Sequence, residues 1–253
     1  MKSRLLFRGL TAVAVLTLIW YGATAAGLVR SEYMPPPDEV FRAGAEDWSD
    51  LTGSTLSSLR TALVGYTLGF LGAALVGMVV GRFAFADSWA SGTIDFFRAI
   101  PAVAIVPLAI VWFADSILVG VFAVAWGCFN LAVINVIAGV RQIPKTLQDA
   151  ARTFGAGEVK ILRAVGIPSL LPYFLSSLRQ NVSVALIVIV VADMVIGLSG
   201  LGFYILRNQG SAQFGRMYAA IVVISILGYV TFSVLEAAQK RLFPWWSESA
   251  VRQ

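Results

Sequence analysis

Residues 117–140 read ILVGVFAVAWGCFNLAVINVIAGV, a run of 24 residues without a charged side chain. A helix that crosses a bilayer needs about 20 mostly apolar residues, because the hydrocarbon layer is about 30 Å thick and each helical residue rises about 1.5 Å. The run is continuous, whereas a strand of a membrane barrel alternates polar and apolar residues over about 10 positions. It therefore predicts a transmembrane helix.

The rest of the chain has the same apolar character. Of its 253 residues, 58% are hydrophobic and 13% are charged, whereas a soluble domain carries about 25% charged residues. Five more segments are long and apolar enough to span a membrane, which makes six candidates: residues 9–29, 56–81, 93–113, 117–140, 172–197 and 217–239. The sequence therefore predicts an all-α, polytopic membrane protein in which residues 1–253 form a single transmembrane domain.

The first segment has a second interpretation, as a signal peptide. Basic residues precede its apolar run, and Ala23-Thr24-Ala25 resembles a cleavage site made of small residues. The run is longer than the roughly 7–15 apolar residues of a signal peptide. We therefore expect a retained membrane helix.

The residue inventory argues against an enzyme. The chain contains no histidine, which excludes a Ser-His-Asp nucleophile and imidazole metal ligands. Cys128 is the single cysteine and lies in an apolar segment. No G-x-x-x-x-G-K-[ST] phosphate loop is present, so this chain should not hydrolyse nucleotide by itself. We expect no catalytic residue, and no metal or cofactor bound by this chain.

The positions of lysine and arginine predict the orientation, because cytoplasmic loops are enriched in both residues. With the N-terminus inside, twelve of them fall on the cytoplasmic face and five on the opposite face. The cytoplasmic set comprises Lys2, Arg4, Arg8, Arg82, Arg141, Lys145, Arg152, Lys160, Arg163, Lys240, Arg241 and Arg252, and the opposite set Arg30, Arg42, Arg60, Arg207 and Arg216. This split predicts that both termini are cytoplasmic. Acidic residues between positions 32 and 50 give the opposite surface a negative field.

Residues 144–168, PKTLQDAARTFGAGEVKILRAVGIP, are too polar to span and too regular for a plain loop. Four apolar residues recur there at helical spacing and form one narrow stripe: Leu147, Ala150, Ala151 and Phe154. Gly155 lies where a helix would end in a left-handed cap. A second short helix should follow and end at Pro168. The pattern predicts two short helices on the cytoplasmic face, with small residues that permit close docking.

This segment resembles the EAA loop of ABC-importer permeases, whose pattern is E-A-A-x3-G-x9-I-x-L-P. Residues 149–151 (DAA) are followed after three residues by Gly155, and after nine more by residues 165–168 (VGIP). Three residues depart from this pattern. Asp149 replaces glutamate with a shorter acid, and Val165 and Ile167 replace isoleucine and leucine with apolar residues of similar size. Further elements are similar to the branch that imports sulfonates, taurine, nitrate and thiamine precursors: residues 34–37 (MPPP), 97–101 (FRAIP), 191–194 (VADM) and 200–202 (GLG).

The resemblance implies a type I ABC-importer permease fold with six transmembrane helices and a coupling helix within residues 144–168. It implies two permease copies, preferably a homodimer, in the inner membrane of a bacterial cell. The implied partners are two ATPase subunits that bind ATP and Mg, an extracytoplasmic binding protein and the lipid bilayer, with no nucleic acid. The acidic outer surface could dock that binding protein or could be an ordinary solvated face.

The residues that the resemblance assigns to ATPase coupling are Leu147, Asp149, Ala150, Ala151, Phe154, Gly155 and Pro168. The alternative is a loop that packs only against its own helix bundle.

Five residues are candidates for the translocation pathway: Arg98, Pro101, Arg179, Asn181 and Asp193. Pro101 and Pro107 each remove a helical hydrogen bond, so the third span should be kinked or broken. Arg98 could pair with Asp95 three residues earlier, and we favour that structural pairing. Asp193 is the sole acid near the end of the fifth span. It could gate the pathway or orient a helix, but we favour a solvated residue at the outer interface.

The sequence thus predicts the permease subunit of an ATP-driven importer for a small polar organic solute or oxyanion. The solute would be of the sulfonate, taurine, nitrate or thiamine-precursor type. The alternative function is a self-contained secondary carrier or channel. Such a carrier would show internal repeats or coupled ionisable residues at mid-membrane, and neither is clear in this chain.

Overall fold

The computed structural model describes residues 2–242, with side chains for all of these except 2–10, 84–89, 91, 158, 162 and 242. Over this range the chain is helical and contains no strand, which confirms the all-α prediction. The helices are α1 (Lys2–Ala25), α2 (Pro37–Glu46), α3 (Trp48–Arg82), α4 (Ala84–Arg98), α5 (Val106–Trp112), α6 (Ser116–Arg141), α7 (Lys145–Thr153), α8 (Glu158–Ile161), α9 (Ile167–Ile196), α10 (Leu201–Gly210) and α11 (Phe214–Leu242). A 3₁₀ turn (Ala102–Ile105) precedes α5, and a π-helical turn (Leu162–Gly166) joins α8 to α9.

Four helices in the described part of the chain are long and apolar enough to cross a membrane. They are α3, α6, α11 and the continuous run Val159–Ile196, which contains α9. A fifth candidate is a broken span made of Gly92–Arg98 and Ala102–Trp112, whose axes differ by 83°. In α1 the described apolar part, Thr11–Ala25, is shorter. The count of six spans therefore stays a prediction.

The break in the third predicted span lies at Pro101. This residue caps the 3₁₀ turn with φ −58° and ψ 132°, which is not a helical conformation. The residue before a proline is pushed out of the helical region by contact with the proline ring, so α4 ends at Arg98. Pro107, predicted to interrupt the helix as well, does not do so. It lies in the first turn of α5, where the missing N–H would have had no helical partner.

The helical run into α9 corrects two proline assignments. Pro168 was expected to stop a helix, but it lies in the first turn of α9. Pro172, expected to begin the span, lies inside α9. The π-helical turn directly before α9 adds a residue to the hydrogen-bond ladder, and the chain continues as one helical run of 38 residues, Val159–Ile196.

The core lies where α3, α6 and α9 pack side by side, with α5 against them. Its buried residues are mostly small or β-branched: Ala62, Ile105, Val106, Ala109, Val119, Ala123, Val124, Cys128, Ala185, Val188, Ile189 and Ala192. A second cluster joins α2, α3, α10 and α11 at the opposite end of the bundle from α7: Val40, Leu51, Leu201, Tyr204, Ala219 and Ala220. We refer to these two ends as the α7 end and the α10 end.

Gly69 on α3 allows the backbone of α6 to approach closely. A Cβ atom at Gly69 would lie 2.9 Å from Cα of Ala125 and closer still to its carbonyl oxygen. Gly72 is a matched control, because a Cβ atom there would lie 3.5 Å from the ring of Phe129, an ordinary contact. We expect Gly69→Ala to destabilise the fold by about 1–3 kcal/mol, and Gly72→Ala to be neutral or slightly stabilising because alanine favours helix.

Thermal unfolding of the purified chain measures this difference. Cys128 is the single cysteine and is fully buried, so its reaction with a thiol-reactive dye reports unfolding without further labelling. Gly69→Ala should unfold at a lower temperature than Gly72→Ala. Equal unfolding temperatures for the two variants would show that α3 and α6 do not approach each other as described.

Candidate functional site

At one end of the bundle, α7 presents an apolar stripe that its own chain does not cover. The helix begins after Pro144, whose extended ψ of 120° sets its N-cap, and no residue of α7 is buried. The side chain of Leu147 is 53% exposed, and that of Phe154, at the end of the helix, is 91% exposed. These two side chains therefore do not pack against the helix bundle of their own chain, as the alternative interpretation of this segment would require.

The end of α7 is held by a Schellman motif, in which glycine adopts a left-handed conformation. Gly155 has φ +75°, and its N–H donates to the carbonyl of Arg152 at 2.9 Å. The N–H of Ala156 donates to the carbonyl of Ala151 at 3.0 Å. A Cβ atom at Gly155 would meet no other atom within 4 Å. Backbone conformation, not lack of space, therefore requires glycine here, and the predicted left-handed cap is confirmed.

The polar side of α7 is open to solvent. Asp149 pairs with Arg152 one turn later at 3.2 Å, and both side chains are largely exposed. Such surface pairs contribute about 0–1 kcal/mol, so the Asp149 carboxylate can exchange this partner for another. Ala150 is exposed and Ala151 half-buried. Pro168, also predicted to belong to this surface, is exposed at the start of α9.

An open groove of about 600 Å³ lies at α8 and the π-helical turn, which follow α7 in the chain. It is lined by Gly157, Val159, Lys160, Arg163 and Ala164. Two cations, Lys160 and Arg163, thus line this groove. The α7 end therefore combines apolar side chains with positive charge.

At the α10 end, Asp193 is buried in a polar network. Its side chain is only 7% exposed, and the Ser58 hydroxyl donates to its Oδ2 at 2.5 Å. The same hydroxyl oxygen accepts the N–H of Leu201 at 2.7 Å, and the N–H of Gly202 also bonds to the Asp193 carboxyl group. The network joins α3, α9 and the first turn of α10. Asp193 therefore orients a helix, and our preference for a solvated interface residue was wrong.

The reason for this burial lies in the turn between α9 and α10. Gly197 has φ +71° and ends α9, and Gly200 has φ +96°, a conformation that glycine favours. The turn brings the N-terminus of α10 against the carboxyl group, so that the N–H of Gly202 reaches it, and a negative charge is favourable at this end of a helix. A Cβ atom at Gly202 would lie 2.9 Å from Cβ of Asp193. Residues 191–194 and 200–202, two separate elements of the sequence, thus form one structural unit.

A second polar cluster fixes the other side of α10. The hydroxyl of Tyr204 donates to Oδ2 of Asp47 at 2.7 Å, and Arg216 lies 3.6 Å from the same oxygen. Arg207 forms an ion pair with Asp50. Burial and the hydrogen bond to Asp47 raise the pKa of Tyr204 well above its ordinary value, so it remains a neutral donor. Arginines at this end therefore neutralise part of the predicted acidic surface.

The remaining pathway candidates lie in different places. Nε of Arg98 is 3.4 Å from Asp95, which confirms the local pair, and Pro101 is exposed at the bend. The Arg179 guanidinium lies 4.9 Å from the ring centre of Phe232 on α11. Asn181 has no exposed surface. Together with Asp193, these residues do not form one site.

Two residues that the sequence interpretation missed are important for these networks. Ser58 joins Asp193 to α10. Asn135 on α6 donates to Oε1 of Gln180 on α9 at 3.2 Å. Ser58 lies among several other polar residues in the first half of α3, and Asn135 lies in the apolar α6. Nothing in the sequence singles either residue out, and their spacing contains no signal for these long-range pairs.

Residues 65–244 match the family model of the binding-protein-dependent transport system inner membrane component. A probable ABC transporter permease protein of Brucella melitensis is 31% identical over 249 residues, which cover 97% of this chain and 100% of that protein. The taurine transport system permease protein TauC of Escherichia coli is 27% identical over 256 residues, which cover 97% of this chain and 92% of TauC.

Solved structures show the same fold. An amino acid ABC transporter crystallised with histidines has a TM-score of 0.64 at 20% identity, over 79% of this chain and 98% of that chain. The methionine ABC transporter MetNI in an inward-facing conformation has a TM-score of 0.60 at 22% identity, over 78% and 96%. The family match and the fold agree with each other and with the EAA-like segment around α7. The protein belongs to the family of binding-protein-dependent transport system inner membrane components and is an ABC transporter permease.

Proposed function

We propose that this permease imports a small organic sulfonate or a similar polar oxyanion, and that separate ATPase subunits drive it by docking on α7. The observation that supports the docking most strongly is the exposed apolar pair on α7, Leu147 at 53% and Phe154 at 91%. Large apolar side chains that share one exposed stripe of a helix are typical of a surface that a partner covers. The taurine transport relative supports the choice of solute.

The ATPase contact surface in this proposal consists of Leu147, Asp149, Ala150, Ala151, Phe154 and Gly155. The two apolar side chains would enter a groove of the partner, and the small residues between them permit close approach. ATP and Mg²⁺ would be bound by the partner, and a second copy of the chain would complete the pathway as a homodimer. Pro168 begins α9, the helix through which movement of α7 would reach the membrane. Coupling requires that the partner grips α7 differently in its two states.

The proposed location is the inner membrane of a bacterial cell, with the α7 end in the cytoplasm. Basic residues at that end support this orientation through the positive-inside rule: Arg82, Arg141, Lys145, Arg152, Lys160, Arg163, Lys240 and Arg241. Both termini would then be cytoplasmic. Arg252, which contributes to the same argument, lies outside the described residues. A binding protein would deliver the solute at the α10 end.

Purification from the native membrane in a mild detergent, followed by mass spectrometry, tests the partner. A near-stoichiometric subunit with a phosphate-loop sequence is expected. The complex is then reconstituted into vesicles with its binding protein, and uptake of taurine and of an aliphatic sulfonate is measured with and without ATP. Uptake should require ATP. Recovery of the chain alone, with solute uptake that needs no ATP, would instead identify a carrier or channel.

A further inference from the structure

One face of α9 carries exposed polar side chains inside a membrane span. Gln180 and Ser183 are exposed, and Ile187, on the same face by helical spacing, is 61% exposed. A primary amide in contact with lipid tails would lose its hydrogen bonds to water without replacement. Polar side chains within spans therefore face a protein interior or a water-filled cavity. This face of α9 therefore lies against another protein surface or against water, and not against lipid tails.

The neighbours of α9 define the position of this face. On one side Ser177 contacts α6, where Asn135 lies 3.4 Å from its hydroxyl oxygen. On the other side Arg179 lies over the ring of Phe232 on α11. Gln180 and Ser183 thus lie in the opening that α6 and α11 leave along α9. The cation of this segment is turned towards the α11 side, and the exposed face itself is uncharged.

A buried network holds the exposed amide in place. Nδ2 of Asn135 donates to Oε1 of Gln180 at 3.2 Å, which orients the Gln180 amide. Asn135 also donates to Ser177, and Ser177 accepts from Nδ2 of Asn181 at 3.2 Å. Ser177 and Asn181 are both fully buried. Within the part of the chain that the structure describes, the Gln180 amide nitrogen and the Ser183 hydroxyl donate to no acceptor.

We propose that Gln180 and Ser183 donate hydrogen bonds to the transported solute, and that Asn135, Ser177 and Asn181 position them. This proposal rests on the proposed function, because it takes the oxyanion oxygens of the solute as the acceptors. Neutral amide and hydroxyl donors hold an oxyanion less tightly than an arginine would. A pathway needs such weak contacts, because a solute that binds too tightly is not released. The permease thus accepts the solute class without trapping it.

Thiol labelling of the assembled complex in vesicles tests whether this face meets water. The probe is a membrane-impermeant methanethiosulfonate that itself carries a sulfonate group. The wild-type chain is the background, because its single cysteine, Cys128, is fully buried. Gln180→Cys and Ser183→Cys should react at least about tenfold faster than Leu71→Cys, a variant on the exposed apolar side of α3. Equal, slow labelling of Gln180→Cys and Leu71→Cys would overturn the proposal.

Uptake measurements test the hydrogen bonds themselves. Gln180→Leu keeps the approximate size but removes the donor, and sulfonate uptake should fall about tenfold, as expected for the loss of one net hydrogen bond of about 1.4 kcal/mol. Gln180→Asn keeps an amide and should retain most of the uptake, whereas Gln180→Glu adds a negative charge and should reduce it further. Wild-type uptake by Gln180→Leu and Gln180→Glu would overturn the proposal. If the wild-type complex shows no ATP-dependent uptake, the proposed function fails, while the labelling rates still test the aqueous face.

Discussion

Replacing Asp193 with alanine should lower the apparent unfolding temperature of the purified permease by about 10 °C. The carboxyl group accepts hydrogen bonds from the Ser58 hydroxyl and the Gly202 amide. Both donors would remain buried without a partner, at about 1–3 kcal/mol each. In a chain of this size, each kcal/mol shifts the unfolding temperature by about 2–4 °C.

Two further variants serve as comparisons in this experiment. Asp193→Asn keeps the shape and one acceptor oxygen, so it should lose about half as much stability as alanine. Asp38→Ala removes an exposed carboxylate from the first turn of α2, where a favourable helix-dipole contact contributes about 0.3–1 kcal/mol. The thiol of Cys128 again reports unfolding. If Asp193→Ala and Asp38→Ala unfold at the same temperature, the network does not tie α10 to α9.

Replacing Phe154 with alanine should reduce the affinity for the ATPase subunits at least about 30-fold while leaving the fold intact. Truncating an anchor residue at an interface costs about 2 kcal/mol or more in binding. The side chain is 91% exposed in the chain alone, and substitutions at such surface positions change stability by about 0.5 kcal/mol at most. The variant should therefore lose binding affinity without losing stability, because Phe154 would make its contacts with the partner and not with its own chain.

The measurement is the amount of ATPase that remains bound during purification, together with the unfolding temperature of the isolated permease. Phe41→Ala is the matched control, because Phe41 is 69% exposed on α2 at the α10 end. It should retain the ATPase like the wild type. Retention of the ATPase by Phe154→Ala would show that α7 does not dock through this side chain. A large fall in unfolding temperature would show that Phe154 packs within its own chain.

Short-range sequence signals predict this structure correctly where the backbone conformation depends only on adjacent residues. The cap at Gly155 requires only a left-handed glycine and the preceding turn, and the bend lies at Pro101, one of the two prolines predicted to interrupt the third span. The same kind of signal was wrong at Pro168, because proline fits both the first turn of a helix and the position after its end. The π-helical turn before it, which favours continuation, has no comparable signature in the residues.

The membrane class, the helical character and the amphipathic α7 follow from composition and periodicity, because these reflect the thickness of the bilayer and the pitch of a helix. The contacts that individual polar residues make do not follow from composition or periodicity. Ser58 and Asp193 are 135 positions apart, and Asn135 and Gln180 are 45 apart. Their meeting depends on how each helix is rotated about its axis and on which neighbour covers it. A helix that is apolar on nearly every side has no periodic pattern that specifies this rotation, so packing between α3, α6, α9 and α10 sets it.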